Sequence, residues 1–264
     1  MIDFHNHVLP DVDDGPKTLE ESINMLKHAS RQGVTEIIQT VHFQHPKMDG
    51  KNVEYNYLNN KINDLQIEID KLNLKIKMHL AAEVFYLPNL TEICMNPLVT
   101  IGNGKYMLIE FKSNIFPTHY EKEFYKLQLN GITPIIAHPE RYRFVQNDIH
   151  IIADWINKGF IIQIDAGSLI GHFGSAIQKI SQEMLKNGYL HLIGSDAHNS
   201  KKRNFCLREA YAKITLLKYN HLVVIFKENS RKLLNGENLK SINSQTKMEN
   251  KSYIQTIINL FKRS

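Results

Sequence analysis

The chain has 264 residues, 42% of them hydrophobic, and a formal net charge of +5. This is enough apolar material for one large domain or two small ones, and the charge is too mild to indicate a nucleic-acid partner. Two cysteines, Cys94 and Cys206, give neither a disulfide framework nor a CxxC metal motif. No apolar run approaches the roughly 18 residues of a membrane span, and the first strand starts too early to leave room for a signal peptide, so a soluble cytoplasmic protein is expected.

The chain opens on Ile2, followed by His5 and His7. Residues two apart in a strand share a face. Both imidazoles should therefore point one way, with Phe4 and Asn6 pointing the other. A carboxylate-rich turn follows, with Asp11, Asp13, Asp14 and Gly15 between Pro10 and Pro16. Thr18 and Glu21 read as a capping box for a helix bearing Leu19, Ile23, Leu26 and Ala29 and stopped by Gly33. A second strand is expected over 35–41, ending at His42. The helix over 54–72 lines up Leu58, Ile62, Leu65, Ile69 and Leu72. A third strand, 75–82, ends at Glu83, and a fourth, 105–111, carries Glu110 near its end. A helix over 119–129 leads to a fifth strand, 132–137, which ends at His138. A helix around 148–157 leads to a sixth strand over 160–164, just before Asp165. A helix over 175–187 leads to a seventh strand over 189–194, just before Asp196 and His198. Two helices, roughly 204–218 and 221–235, complete the pattern.

Strand and helix thus alternate seven times, which argues for parallel strands joined by crossover helices. Seven units in about 235 residues suit a closed or nearly closed barrel better than an open sheet. No GxGxxG or GxxxxGK[ST] loop speaks for a nucleotide-binding sheet.

Chemistry-bearing residues collect at the C-terminal ends of these strands: His5, His7, Asp14, His42, Glu83, Glu110, His138, Asp196 and His198. Taken singly, each is an ordinary turn histidine, solvated strand end or helix cap. Taken together they sit where α/β barrels carry their active sites. Nine imidazoles and carboxylates in one mouth would strand one another without cations. The set could hold two or three divalent ions, and with no thiolate it suits manganese, iron or zinc. Arg141 and Arg203 follow His138 and His198 closely. Guanidinium groups there suit phosphate oxygens. The other histidines read as ordinary structural or solvated residues, of which His45 and His172 lie on mouth-side loops and could touch a substrate.

The HxH start, the VDDGP loop and the AAEV, LIEF, IAHPERY, IDAGS and SDAHN segments resemble CpsB/CapC-type bacterial tyrosine phosphatases of the polymerase and histidinol phosphatase (PHP) superfamily. The resemblance spans about residues 1–236. It implies a distorted (β/α)7 TIM-like barrel and a three-metal site, usually of manganese, whose ligands fall on the nine residues named. It implies phosphate-binding roles for Arg141 and Arg203. It also implies, as substrate, the tyrosine-rich tail of membrane-associated tyrosine autokinases that control capsule and exopolysaccharide synthesis. The chain departs from the family at Asp165, where Asn is expected, at His172, where a basic residue is expected, and in the 41–45 segment.

The expected chemistry is in-line attack on phosphorus by a metal-bridged hydroxide, with His42 or His198 helping the phenolate leave. Neither cysteine has an Arg six positions on, so a cysteine-phosphatase loop is absent. Two rivals stay open. One is a PHP phosphoesterase acting on a small ester such as histidinol phosphate, or a nuclease. The other is a catalytically inactive binding or regulatory module, which predicts gaps in the ligand set. Residues 237–252 read as a polar linker, and 253–264 as a short amphipathic segment that could lie on a membrane, on the barrel or on a second subunit.

Overall fold

The computed structural model describes residues 1–48 and 50–240. Seven parallel strands pair in sequence order: β1 (Ile2–Asp3), β2 (Glu36–Phe43), β3 (Lys77–Phe85), β4 (Tyr106–Glu110), β5 (Thr133–Ile136), β6 (Ile161–Asp165) and β7 (Leu192–Gly194). The circle nearly closes where the chain beyond β7 meets the chain beyond β1. There the His7 amide donates to the Ala197 carbonyl and the Asp196 amide to the His5 carbonyl, both at 2.8 Å. The expected α/β barrel is therefore present.

Helices α1 (Leu19–Gln32), α2 (Tyr55–Lys71), α4 (Tyr120–Leu129), α6 (His150–Asn157), α8 (Ser175–Lys186), α9 (Leu207–Leu216) and α10 (Asn220–Asn235) match the apolar periodicities. The α1 cap forms as the sequence implies: Thr18 Oγ1 accepts the Glu21 amide at 3.2 Å. Gly33 ends that helix at φ +85°, a conformation that favours glycine. Three short helices, α3 (Leu90–Ile93), α5 (Arg143–Asn147) and α7 (Ala166–Ile170), have too few turns to show a period.

Strand alternation divides the apolar residues into two layers. Ile37, Val41, Val84, Ile109 and Ile136 face the helices, packing with Leu26, Leu58, Phe124 and Trp155. Ile38, Ala81, Leu108, Ile135 and Leu192 fill the barrel interior with Phe4. Two or four residues further along the same inward faces stand Thr40 and His42, Glu83, and Glu110. The same period-two face thus plugs the barrel with hydrocarbon below and presents donors above.

Three details differ from expectation. β1 ends at Asp3 and the chain bends at His5, so strict alternation fails and Phe4 joins the inner cluster. An isolated bridge between Asn6 and Ala197 then carries the backbone on. β2 and β3 each run past their expected ends, because His42 and Glu83 pair directly in the register. Residues 237–240, the first of the expected linker, are tied to the barrel: the Tyr106 hydroxyl donates to the Glu237 carbonyl at 2.6 Å, and the Lys240 amide to Asn229 Oδ1 at 2.8 Å. The remainder of the linker and the amphipathic segment at 253–264 lie outside the described residues.

Candidate metal and phosphate centre

Glu83 stands at the middle of the mouth and is buried. Its Oε2 lies 3.3 Å from His5 Nε2, 3.2 Å from His7 Nε2 and 3.3 Å from His42 Nδ1. Its Oε1 lies 2.8 Å from His138 Nε2. Asp196 Oδ1 faces the same His5 and His7 nitrogens at 3.5 Å. Asp14 Oδ1 bridges His42 Nε2 at 3.3 Å and His198 Nε2 at 3.2 Å. Glu110 completes the set, 4.0 Å from both His42 and His138. All nine sequence-predicted residues meet in one place.

Three overlapping groups could each hold a cation: His7, Asp14, His42 and His198; His5, His7, Glu83 and Asp196; and His42, Glu83 and Glu110. His138 joins none of these groups, although it touches Glu83. The Nε2 atoms of His5 and His7, the Nδ1 atoms of His42 and His138, and Glu110 Oε2 are buried without a hydrogen-bond partner. Orphaned polar atoms are costly in a protein interior. All of these atoms but His138 Nδ1 lie where imidazole and carboxylate atoms of the centre face one another, the arrangement that divalent cations satisfy, so the residues present fit the metals implied by the resemblance.

Three of the imidazoles are held by acceptors on their far side. His7 Nδ1 donates to Asp13 Oδ2 at 2.8 Å, His5 Nδ1 to Gln163 Oε1 at 3.1 Å, and His198 Nδ1 to the Asp196 carbonyl at 2.9 Å. In the neutral ring each bond places the remaining proton on Nδ1, which leaves Nε2 free to ligate toward the centre. Sequence reasoning missed Asp13 and Gln163. The VDDGP loop offers two adjacent acids, and only the fold shows Asp13 buried against His7 while the Asp14 side chain stays 42% exposed at the rim. For Gln163 the available signal was its place on the inward face of β6 between Ile161 and Asp165.

Charge decides the protonation preferences. Burial works against a charged His5, but Glu83 and Asp196 outweigh it and raise its pKa to about 9. Burial also opposes the charged form of Glu83, and His5 and His42 nevertheless hold it well below the usual carboxylate range. Glu110 goes the other way, pushed up by burial and by Glu83. His198 is pushed down by burial and by His7. His138 and Asp196 sit at φ +32° and +50°. Such backbone costs roughly 1–3 kcal/mol per residue and clusters at functional sites.

The two arginines line the same mouth. Arg141 donates to Asp165 Oδ2 at 3.0 Å and to Asp196 Oδ2 at 2.7 Å, and Arg203 donates to that second oxygen. Both guanidinium groups lie over the Phe173 ring, at 5.2 and 5.8 Å. Phe173 was also missed, as it sits on a short connection with no periodic signal. Asp165, noted only as a departure, is thus an arginine partner. Buried Glu140 accepts from the Asp165 amide at 3.0 Å and the Ser168 hydroxyl at 2.7 Å and braces that turn. Of the two loop histidines, His45 reaches the centre, 3.6 Å from Glu110, while His172 packs by Gly167. A cavity of about 120 Å³ opens between these groups and Lys47. A larger one, about 830 Å³, lies at the other end of the barrel around Ile101, Gly102 and Leu234, away from the donors.

Barrel and donor set together define the class, an α/β-barrel hydrolase with an imidazole-rich mouth. The family described as "Capsular polysaccharide synthesis, CpsB/CapC" matches residues 1–235, and the chain belongs to it. It is 34% identical to the putative tyrosine-protein phosphatase CapC of Staphylococcus aureus, over 90% of this chain and 93% of that one. It is 33% identical to the tyrosine-protein phosphatase YwqE of Bacillus subtilis, over 90% and 93% of the two chains. A solved structure from work on B. subtilis YwqE and Streptococcus pneumoniae CpsB, described as metal-dependent tyrosine phosphatases, superposes with a TM-score of 0.86 at 33% identity, covering 91% of this chain and 96% of that one. The histidinol phosphate phosphatase of Lactococcus lactis shares the fold, with a TM-score of 0.50 at 18% identity over 83% of this chain and 93% of that one.

Proposed function

We propose that this protein is a metal-dependent protein-tyrosine phosphatase. Its substrate is the phosphorylated tyrosine-rich tail of a membrane-associated bacterial tyrosine autokinase, and its role is control of capsule or exopolysaccharide synthesis from the cytoplasm. The observation that carries the reading is the meeting of nine imidazoles and carboxylates, several with orphaned buried atoms, beside two carboxylate-held arginines. Kinship with tyrosine phosphatases supports the choice of ester.

His5, His7, Asp14, His42, Glu83, Glu110, His138, Asp196 and His198 would hold three divalent ions, manganese being the first candidate. Such ions, when bound, supply Lewis-acid charge and a water activated near neutral pH. The protein's own groups do the rest. Arg141 and Arg203 bind the phosphoryl oxygens and stabilise the charge that develops on them. Asp165 and Asp196 fix both guanidinium groups at the cavity edge before substrate arrives, so little reorganisation remains. His42 and His198, the residues expected to help the phenolate leave, flank Asp14 through Nε2, the atom that would ligate; a ring bound there has no proton on that atom to give, and the phenol leaves as its anion.

The test is phosphate release from a phosphotyrosine peptide by metal-stripped protein with manganese restored, beside histidinol phosphate and a phosphodiester. Activity on the peptide that returns with manganese and vanishes in His138→Ala is the expected result. Manganese-dependent activity confined to another ester overturns the substrate. No activity on any of the three, with metal bound, favours a binding module.

A further inference from the structure

The cavity between the arginines and the carboxylates measures about 120 Å³. Every side chain that lines it is charged or an imidazole, which suits a phosphoryl group and offers the rest of the ester no hydrocarbon surface. The rest of the ester must lie in a neighbouring space. One adjoins it directly: a cavity of about 440 Å³ beyond the end of β2, which shares His42 and His45 with the first. Its other walls include Pro46, Met48, Lys51 and Val53.

We infer that this second cavity is the subsite for the aromatic ring of the ester, seated against His45 and the hydrocarbon of Pro46, Met48 and Val53. The inference rests on the phosphotyrosine reading and assigns the part of the substrate that reading leaves unplaced.

Three features favour a ring over a charged or strongly polar group. Pro46, Met48 and Val53 offer carbon surface, as the apolar bodies of ligand pockets generally do. The cation at the cavity, Lys51, already faces Asp11 at 3.5 Å. The wall shared with the phosphate centre is aromatic and fixed. His45 packs against His42 at 4.8 Å and meets the Phe85 ring edge-on at 4.9 Å. Its Nδ1 accepts the Lys47 amide at 3.1 Å, and Gln44 anchors the preceding turn by donating to the Phe85 carbonyl at 2.8 Å. The wall is in place before a ligand enters.

Stable phosphonates test this without leaving-group effects. Competitive inhibition by benzylphosphonate and by methylphosphonate would be compared in the manganese-loaded full chain, in Val53→Trp and in Met48→Ala. Methylphosphonate does not reach the cavity and monitors the phosphoryl centre. Benzylphosphonate should bind the wild type about tenfold or more tighter than methylphosphonate. The ratio should fall toward one in Val53→Trp, which fills the space, and several-fold in Met48→Ala. Thermal melting checks that both variants fold. A wild-type ratio near one, or a ratio that neither variant changes, overturns the assignment. Failure of the phosphotyrosine reading looks different: manganese-dependent hydrolysis confined to another ester, whatever the phosphonate ratio.

Discussion

Replacing Asp13 by Asn should weaken the centre without touching any of the nine candidate ligands. Asp13 Oδ2 accepts the His7 Nδ1–H at 2.8 Å and the His42 amide at 3.3 Å, and Oδ1 accepts the Gly15 amide at 3.0 Å. All three partners are donors, and an asparagine amide has one acceptor. If its NH2 group faces His7, the ring must move its proton to Nε2, which points at Glu83 and Asp196 and can then no longer ligate. If the NH2 group faces Gly15, the turn loses its bond and His7 keeps only a neutral partner. Hydrogen bonds to a charged group are worth roughly 1.5–3 kcal/mol, and losing a partner behind a metal-bound imidazole typically costs about 10–100-fold in metal affinity or activity. The expected outcome is a manganese affinity lower by about that factor, measured by competition with a chromophoric chelator. A parallel fall in phosphate release should recover in part at saturating manganese. Affinity and activity both within twofold of wild type, in a protein that melts normally, would refute the argument that Asp13 sets the His7 tautomer.

Phe173→Leu removes the ring beneath both arginines; at about 0.5–1 kcal/mol for each of the two cation–π contacts, KM for the phosphoester should rise about 5–30-fold in initial-rate assays, and Phe173→Trp should restore it. Gly194→Ala would bring a Cβ to 2.6 Å from that of His5; the displacement should cost about 1–3 kcal/mol, read by denaturant unfolding, and should lower the bound-metal count. Burial holds His191 neutral and pushes its pKa down from 6.5 to about 4. The unfolded chain therefore binds the extra proton between those two values, and stability falls as pH drops through that window. The loss is about 2 kcal/mol between pH 7.5 and pH 5, and denaturant unfolding of His191→Gln should show a shallower acid slope by that amount.

The parts of this molecule that were legible in sequence are those with a period. Strand alternation and helical spacing repeat often enough to locate seven strands and the longer helices, and the barrel follows from their order. The candidate donors were legible for a related reason. They occupy the inward face of strands at the one end where no hydrocarbon is needed, so Glu83 interrupts an apolar run two residues after Ala81, and Glu110 two after Leu108. What was not legible depends on contacts between distant segments. Asp13 and Asp14 are equivalent in the chain, and packing alone puts one behind His7 and the other between His42 and His198. Gln163 meets His5 across 158 residues, and Phe173 meets arginines from two different loops. The bend at His5 has the same origin, since closure onto Ala197 sets the path of the chain there rather than local preference. Donors are therefore written along the strands, whereas the residues that aim them are written across the fold. For that reason substitutions at Asp13 and Phe173 test the structure in a way that substitutions at His5 or His138 cannot.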